Sequence, residues 1–241
     1  MKDIIYKIFY DKLPNSLEDI LPEYEGCKIV TCLNPYYMVA LKESDYSIYN
    51  EFDYICSDGM LPLKIQSILR HAKSVRLSFD MSSMAGPVFM DAIKHNAGIY
   101  FLGAKDGEID RSIKTIKKNF PDLKIAGYHH GYIQGKEQLI VNEIIASGAK
   151  ICVIGMGAPM QDYIAVMLKR TGFIGSAYTC GGFIHQTQEG IISFPEWTNK
   201  LGLRWLYRMF TQKGVFVRLM KTTPSFVLSY TRFHLFNFNK L

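Results

Sequence analysis

Runs of six or seven apolar, often β-branched residues recur along the chain. Between them lie longer stretches in which apolar positions return every three or four residues. "CKIVTCL" (27–33), "FDYICS" (52–57), "SVRLSF" (74–79), "GIYFLGA" (98–104), "LKIAGY" (123–128), "KICVIGM" (150–156) and "FIGSAY" (173–178) read as strands. The intervals 35–49, 61–71, 83–96, 107–119, 135–147 and 160–171 have the length and period of helices. Alternation of this kind predicts βαβ units with right-handed crossovers. The fold class expected is therefore α/β: a Rossmann-like, largely parallel sheet with helices on both faces. No internal repeat or low-complexity stretch interrupts it. A shift in composition near "SFPE" (193–196) divides a body, 1–195, from a C-terminal appendage, 196–241, expected to be helical.

Charge sharpens that division. The net charge of +6 is carried by the end of the chain: residues 197–241 hold eight Lys/Arg and no acid, and the last acidic residue is Glu196. The same stretch holds ten aromatic residues, among them Trp197, Trp205, Phe226 and Phe236. Basic residues interleaved with Trp, Phe and Leu suit an anionic membrane interface better than nucleic acid, for which no motif is present. The plainer alternative is a helix that packs its aromatics on the body and solvates its charges. No apolar run is long enough to span a bilayer, and the N-terminus has no signal-peptide pattern, so neither is expected. The five cysteines lack metal or CxxC spacing and read as reduced, buried thiols.

In parallel α/β sheets, ligands bind beyond the carboxyl ends of the strands. Here those ends carry Asn34; Ser57-Asp58-Gly59; Gly103-Ala104-Lys105; His129-His130-Gly131-Tyr132; Gly155-Met156-Gly157-Ala158-Pro159 running into Gln161-Asp162; and Gly181-Gly182-Phe183. Several glycine turns on one rim favour a nucleotide or another phosphorylated ligand, because bare backbone N–H groups approach phosphate closely. There is no Walker A loop, no complete dinucleotide fingerprint, no GxSxG elbow and no D-x-D pair of the kind that holds a sugar nucleotide through a divalent metal. His129 and His130 are expected on opposite faces of a strand, with a phosphate-contacting or structural role more in keeping than metal ligation.

Taken in order, "SDGM", "VRLSFD", "FLGAKDG", "IAGYHHGYI", "VIGMGAPMQD", "GGFI" and "LRWLYRMF" resemble the WecG/TagA/CpsF glycosyltransferases, glycosyltransferase family 26, over about residues 28–210. The resemblance implies a bacterial enzyme with a Rossmann-like body and a C-terminal membrane-association appendage. It would transfer a hexose or N-acetylhexosamine from a UDP-sugar to a polyprenyl-diphosphate-linked sugar, with inversion and without a metal or other cofactor. Such an enzyme sits peripherally at the inner, cytoplasmic face of the membrane.

The resemblance also implies roles for residues. Asp58 matches the catalytic aspartate, the base for the acceptor hydroxyl; its alternative is to cap the next helix. Arg76 and Gln161 match the pattern's arginine and glutamine, and could otherwise be a surface charge and a helix start. Lys105 faces phosphate or is a solvated loop residue, and Asn34 contacts substrate or caps a helix. Thr31 or Cys32 takes the threonine position. Gly59, Gly103, His130, Gly131, Tyr132, Gly155, Met156, Gly157, Pro159, Asp162, Gly181, Gly182, Phe183 and Arg208 complete the expected substrate-binding set. The chain departs from the pattern at His185, where an acid is usual, and at Arg204, also an acid there. A UDP-sugar-binding module without turnover, docking a partner through its tail, is the rival reading. Self-association of the tail is a further expectation when no membrane is present.

Overall fold

The computed structural model describes residues 2–71, 74–191 and 215–240. Six strands form one all-parallel sheet: β1 (Cys27–Leu33), β2 (Tyr54–Ser57), β3 (Ile99–Gly103), β4 (Ile125–His129), β5 (Ile151–Gly155) and β6 (Gly175–Thr179), in the order β2-β1-β6-β5-β3-β4. The helices are α1 (Asp3–Asp11), α2 (Pro35–Ala40), α3 (Met60–Arg70), α4 (Ala85–Lys94), α5 (Glu108–Asn119), α6 (Glu137–Ala146), α7 (Met160–Arg170), α8 (Phe183–Thr187) and α9 (Val215–Arg232).

The strand period of two divides the core. Tyr100, Leu102, Cys152 and Ile154 face a cluster built with α1, α2, α6, α7 and α9. Ile99, Phe101, Ile151 and Val153 face a second cluster built with α4, α5 and α8. Both faces are thus covered, as the apolar strand sequences require of a parallel sheet.

Two expected elements come out differently. Residues 74–79 do not form a strand; they touch the sheet through a single parallel bridge from Ser57 to Arg76. The reason is local. Asp80 and Met84 both return their N–H groups to the Ser78 carbonyl, curling the chain, while Leu77 and Phe79 are anchored in the second cluster. The consequence is that Arg76 is delivered to the carboxyl end of β2. The helix expected over 35–49 breaks at Leu41, whose backbone is extended at ψ 138°, and resumes as a 3-10 stretch, Glu43–Glu51. Helix α1 was not expected, although Ile5, Tyr6, Ile8 and Phe9 show helical spacing and are buried.

The described part of the tail, 215–240, packs its aromatics on the body, as the plainer reading expects. Phe226, Tyr230 and Phe233 are fully buried, with the Tyr6 ring of α1 5.0–6.0 Å from each. Burying Phe226 and Phe233 contributes roughly 1.5–3 kcal/mol each. On its outer side Val217, Met220, Leu228, Leu235 and Phe236 are exposed beside Lys221 and Arg232. Among the described residues no helix is long and apolar enough to cross a membrane. Trp197, Trp205, Arg204 and Arg208, and the boundary expected near 193–196, lie outside the described residues.

Candidate active site

The chain leaves β3 through α5 toward the edge strand β4, but leaves β5 through α7 in the opposite direction, toward β6. A crevice therefore opens between the carboxyl ends of β3 and β5, the topological switch point of the sheet. It is a cleft of about 420 Å³, bordered by Lys105, Glu108, Tyr132, Met156, Met160 and His185, with Gly131 and Gly155 at its base. That volume suits a nucleoside-sized ligand. A larger hollow of about 700 Å³ lies at the other end of the sheet around Lys12, Glu51, Asp53 and Lys169. Its charges are already committed: Lys169 holds both Asp53 and the Glu51 carbonyl, and Lys12 donates to the Phe52 carbonyl.

Glycine is obligatory at two positions there. A Cβ on Gly103, whose φ is +154°, would sit 2.4 Å from the Gly155 carbonyl oxygen. One on Gly155 would sit 2.9 Å from both Cys180 Sγ and the Gly181 oxygen. The end of β3 passes backbone to backbone against β5, and the end of β5 packs against Cys180 Sγ and the Gly181 carbonyl, so neither position has room for a side chain.

Three strand spacings from β5, about 14 Å at ~4.8 Å per strand, stands the acid end of the rim. Asp58 follows β2, its N–H bonded to the Leu33 carbonyl at 2.9 Å. It does not cap α3: the N-cap position is Gly59, at φ +147°, and no side chain bonds that helix start. The Asp58 carboxylate lies 3.5 Å from Arg76 Nη2, and its side chain is 31% exposed. Arg76 Nη2 also donates to Ser78 Oγ at 2.8 Å and lies 3.7 Å from Asp80. Ser78 in turn donates to Asp80. Arg76 is thus held between two acids, with Asp58 the more open. An ion pair this exposed contributes little stability.

Beneath the rim, several expected ligand contacts turn inward. Thr31 Oγ1 donates to Asp162 at 2.6 Å and pairs with Thr179 Oγ1 at 2.7 Å, and Tyr49 donates to the other Asp162 oxygen at 3.1 Å. Thr31 and Asp162 have no exposed surface. Burial pushes the Asp162 carboxyl up to about 6, against the pull of the Thr31 and Tyr49 hydrogen bonds. Asp162 belongs to the interior because α7 turns it toward β1. Its neighbour Gln161, 3% exposed, accepts the Gly181 N–H and fixes the turn after β6. Phe183 is a core ring, 5.4 Å from Phe79. Asn34 caps α2 by accepting the Tyr37 N–H.

The remaining expected residues divide by place. Lys105, Gly131, Tyr132, Gly155 and Met156 meet in the cleft. Gly157, Pro159, Gly181 and Gly182 form the turns after β5 and β6. His130 lies past the end of β4, where its Nδ1 accepts the Tyr132 N–H. The two histidine rings are 4.3 Å apart rather than on opposite faces, because only His129 is still in the strand.

Residues outside the expected set complete the cleft. Glu108, at the first turn of α5, accepts the Lys105 N–H at 3.2 Å and lies 3.0 Å from His185 Nδ1. The His185 bond holds its carboxyl below the usual carboxylate range. A signal was present in the sequence: an acid three residues after the loop lysine, at a helix start. Among the described residues, no three His, Cys, Asp or Glu side chains converge as a metal site.

The chain is similar to known glycosyltransferases. The model of the glycosyl transferase WecG/TagA/CpsF family matches residues 5–239. A UDP-Gal:alpha-D-GlcNAc-diphosphoundecaprenol beta-1,4-galactosyltransferase of Shigella boydii is 33% identical over 203 residues, 84% of this chain and 85% of that protein. N-acetylglucosaminyldiphosphoundecaprenol N-acetyl-beta-D-mannosaminyltransferases of Bacillus spizizenii and Bacillus subtilis are each 22% identical, over 86% and 83% of this chain and 79% and 78% of their own lengths. With a parallel Rossmann-like sheet and a matched length of nearly the whole chain, the protein belongs to the WecG/TagA/CpsF family of glycosyltransferases.

Proposed function

We propose that the protein transfers a hexose or N-acetylhexosamine, with inversion and without a metal, from a UDP-sugar to a polyprenyl-diphosphate-linked sugar in bacterial cell-surface polysaccharide synthesis. The observation that carries this reading is the uncapped, half-open Asp58 carboxylate on the same rim as a nucleoside-sized cleft. An extended nucleotide-diphosphate-sugar with its base in the cleft would bring its sugar toward Asp58. Asp58 takes the proton of the acceptor hydroxyl as that oxygen attacks the anomeric carbon from the face opposite the leaving group. The bond to the UDP oxygen breaks, and the charge that develops on the diphosphate is met by cations and backbone N–H groups of the rim. Lys105 and Arg76 are suited to this, as is Arg208 if the tail reaches the site.

In this reading residues 1–195 are the catalytic domain and 196–241 the appendage that rests on the membrane's inner face. The outer side of the tail, with exposed Met220 and Leu228 of α9 and Phe236 just after it beside Lys221 and Arg232, supports that placement. The galactosyltransferase relative makes UDP-galactose the first donor to try and a prenyl-diphosphate-linked N-acetylglucosamine the first acceptor.

The test is UDP release from a panel of UDP-sugars with that acceptor, for wild type and Asp58→Asn, with and without EDTA. The expected result is acceptor-dependent, EDTA-resistant release that falls roughly 10²–10⁴-fold in the variant. UDP binding with no turnover on any acceptor, unaltered by the substitution, would establish the binding-module reading instead.

A further inference from the structure

The cleft carries a feature at odds with a phosphate site. The N-terminus of α5, which opens onto it, is already occupied by a carboxylate: Glu108 Oε2 accepts the Lys105 N–H at 3.2 Å. A diphosphate placed there would face a fixed negative charge. Whatever part of the ligand meets Glu108 must bring a hydrogen-bond donor, since a carboxylate only accepts. The surrounding walls are Met156, Met160, Tyr132 and Ile133, apolar and flat enough for a ring.

A second group fixes that acceptor. His185 Nδ1 lies 3.0 Å from the same Glu108 oxygen, from α8, across 77 residues of chain. Gln188 Nε2 lies 3.2 Å from the same Nδ1; an amide nitrogen only donates, so a neutral imidazole bonds one of the two, and the Glu108 bond requires the hydrogen on Nδ1. The Glu108 side chain is 15% exposed and the imidazole 59% exposed. One carboxylate oxygen is therefore saturated by the protein, and Oε1 has no hydrogen bond among the described residues.

We infer that Glu108, held by His185, reads the nucleobase of the donor, accepting the imide N3–H of uracil through its unsaturated oxygen. The inference rests on the UDP-sugar reading and names what selects uridine within it. Cytosine offers a lone pair at N3, which would face the carboxylate without a proton between them. His185 is a positioning residue: it touches Glu108 and fixes which carboxylate oxygen meets the ring. The diphosphate then lies away from the N-terminus of α5, past Gly155 toward Arg76.

The experiment is titration calorimetry of the full chain with UDP, CDP and 2′-deoxy-UDP, without acceptor, for wild type, Glu108→Gln and His185→Asn. Thermal melting of each variant establishes that it is folded. Wild type is expected to bind UDP at least about tenfold more tightly than CDP. In Glu108→Gln, whose amide can turn its N–H₂ toward the N3 of cytosine, that preference should shrink about tenfold or reverse. His185→Asn should reduce it about two- to fivefold by loosening the carboxylate. A folded Glu108→Gln that keeps the full UDP-over-CDP preference overturns the assignment. So does a variant that loses only discrimination against 2′-deoxy-UDP, which would assign Glu108 to the ribose. If Glu108→Gln does not fold, an unchanged preference in His185→Asn overturns the assignment as well. Wild type that binds none of the three nucleotides sinks the UDP-sugar reading itself, an outcome separate from the loss of base selection.

Discussion

The two ends of the rim each pair an acid with a cationic or imidazole partner, yet the pairs are built differently. At the cleft, Glu108 is tied by a backbone N–H and by His185, and its carboxyl is drawn below the usual range. At the β2 end, Asp58 has only an Arg76 nitrogen at 3.5 Å and accepts no hydrogen bond among the described residues. An acid that is to take up a proton in each turnover must be free to exchange partners. An acid that only recognises a donor gains from being fixed. In the proposed reading the same residue chemistry is divided into an acceptor of protons and a fixed acceptor of hydrogen bonds, four strand spacings or about 19 Å apart.

The strongest way to break this comparison is to remove each charge in turn and separate rate from binding. Asp58→Asn should lower kcat by about 10²–10⁴ with UDP affinity within about twofold of wild type. Glu108→Gln should act through donor binding, with kcat at saturating UDP-sugar within about threefold. Steady-state kinetics at several donor concentrations, run beside calorimetry, would show both patterns. If Asp58→Asn weakens UDP binding tenfold with kcat intact, the assignment of the two ends is reversed.

A third carboxylate, Asp162, serves as the control because it faces neither ligand. Its folded carboxyl is raised to about 6 by burial, against ~3.9 in an unfolded chain. Between those values the folded protein keeps a proton that the unfolded chain releases, so stability falls as pH rises from about 4 to 6 and then levels. The loss is on the order of 2–3 kcal/mol. Melting curves of wild type and Asp162→Asn should therefore diverge over that range, with wild type losing ground as pH rises. Parallel curves would show that the network holds Asp162 ionised throughout.

How much of this was legible beforehand depended on chain distance. The strand runs and their glycine ends could be read because each is local: Gly103 and Gly155 each close an apolar run visible in seven residues. Asp58 was legible for the same reason, and its alternative as a helix cap is removed by Gly59 standing at the N-cap position. What escaped was pairing between elements. Glu108 and His185 are 77 residues apart, and nothing in either segment announces the other. The inward turn of Asp162 depends on where α7 lies against β1 and on Thr31, 131 residues before it. "SVRLSF" alternates like a strand, but the Ser78 carbonyl is claimed by Asp80 and Met84, so the chain curls away after one bridge. That failure matters most, because a continued strand would have given Arg76 a fixed place in the sheet instead of delivering it to Asp58.

Arg76 is also where the comparison is tested most finely. One nitrogen, Nη2, donates to Ser78, lies 3.5 Å from Asp58 and 3.7 Å from Asp80. Replacing it with lysine keeps the positive charge near both acids and removes the planar fork. If Arg76 acted only as a diffuse counter-charge to the departing diphosphate, Arg76→Lys would be nearly silent. If it also aims the Asp58 carboxylate, an ammonium on a flexible stem holds Asp58 less well. The proton acceptor then spends less time in reach of the attacking hydroxyl. The expected loss is about tenfold in kcat, near 1.4 kcal/mol of barrier, with UDP affinity unchanged and Asp58→Asn no worse when combined with Arg76→Lys than alone. Additive losses in that double variant would separate the two residues, leaving Arg76 to the diphosphate and Asp58 oriented by β2 alone.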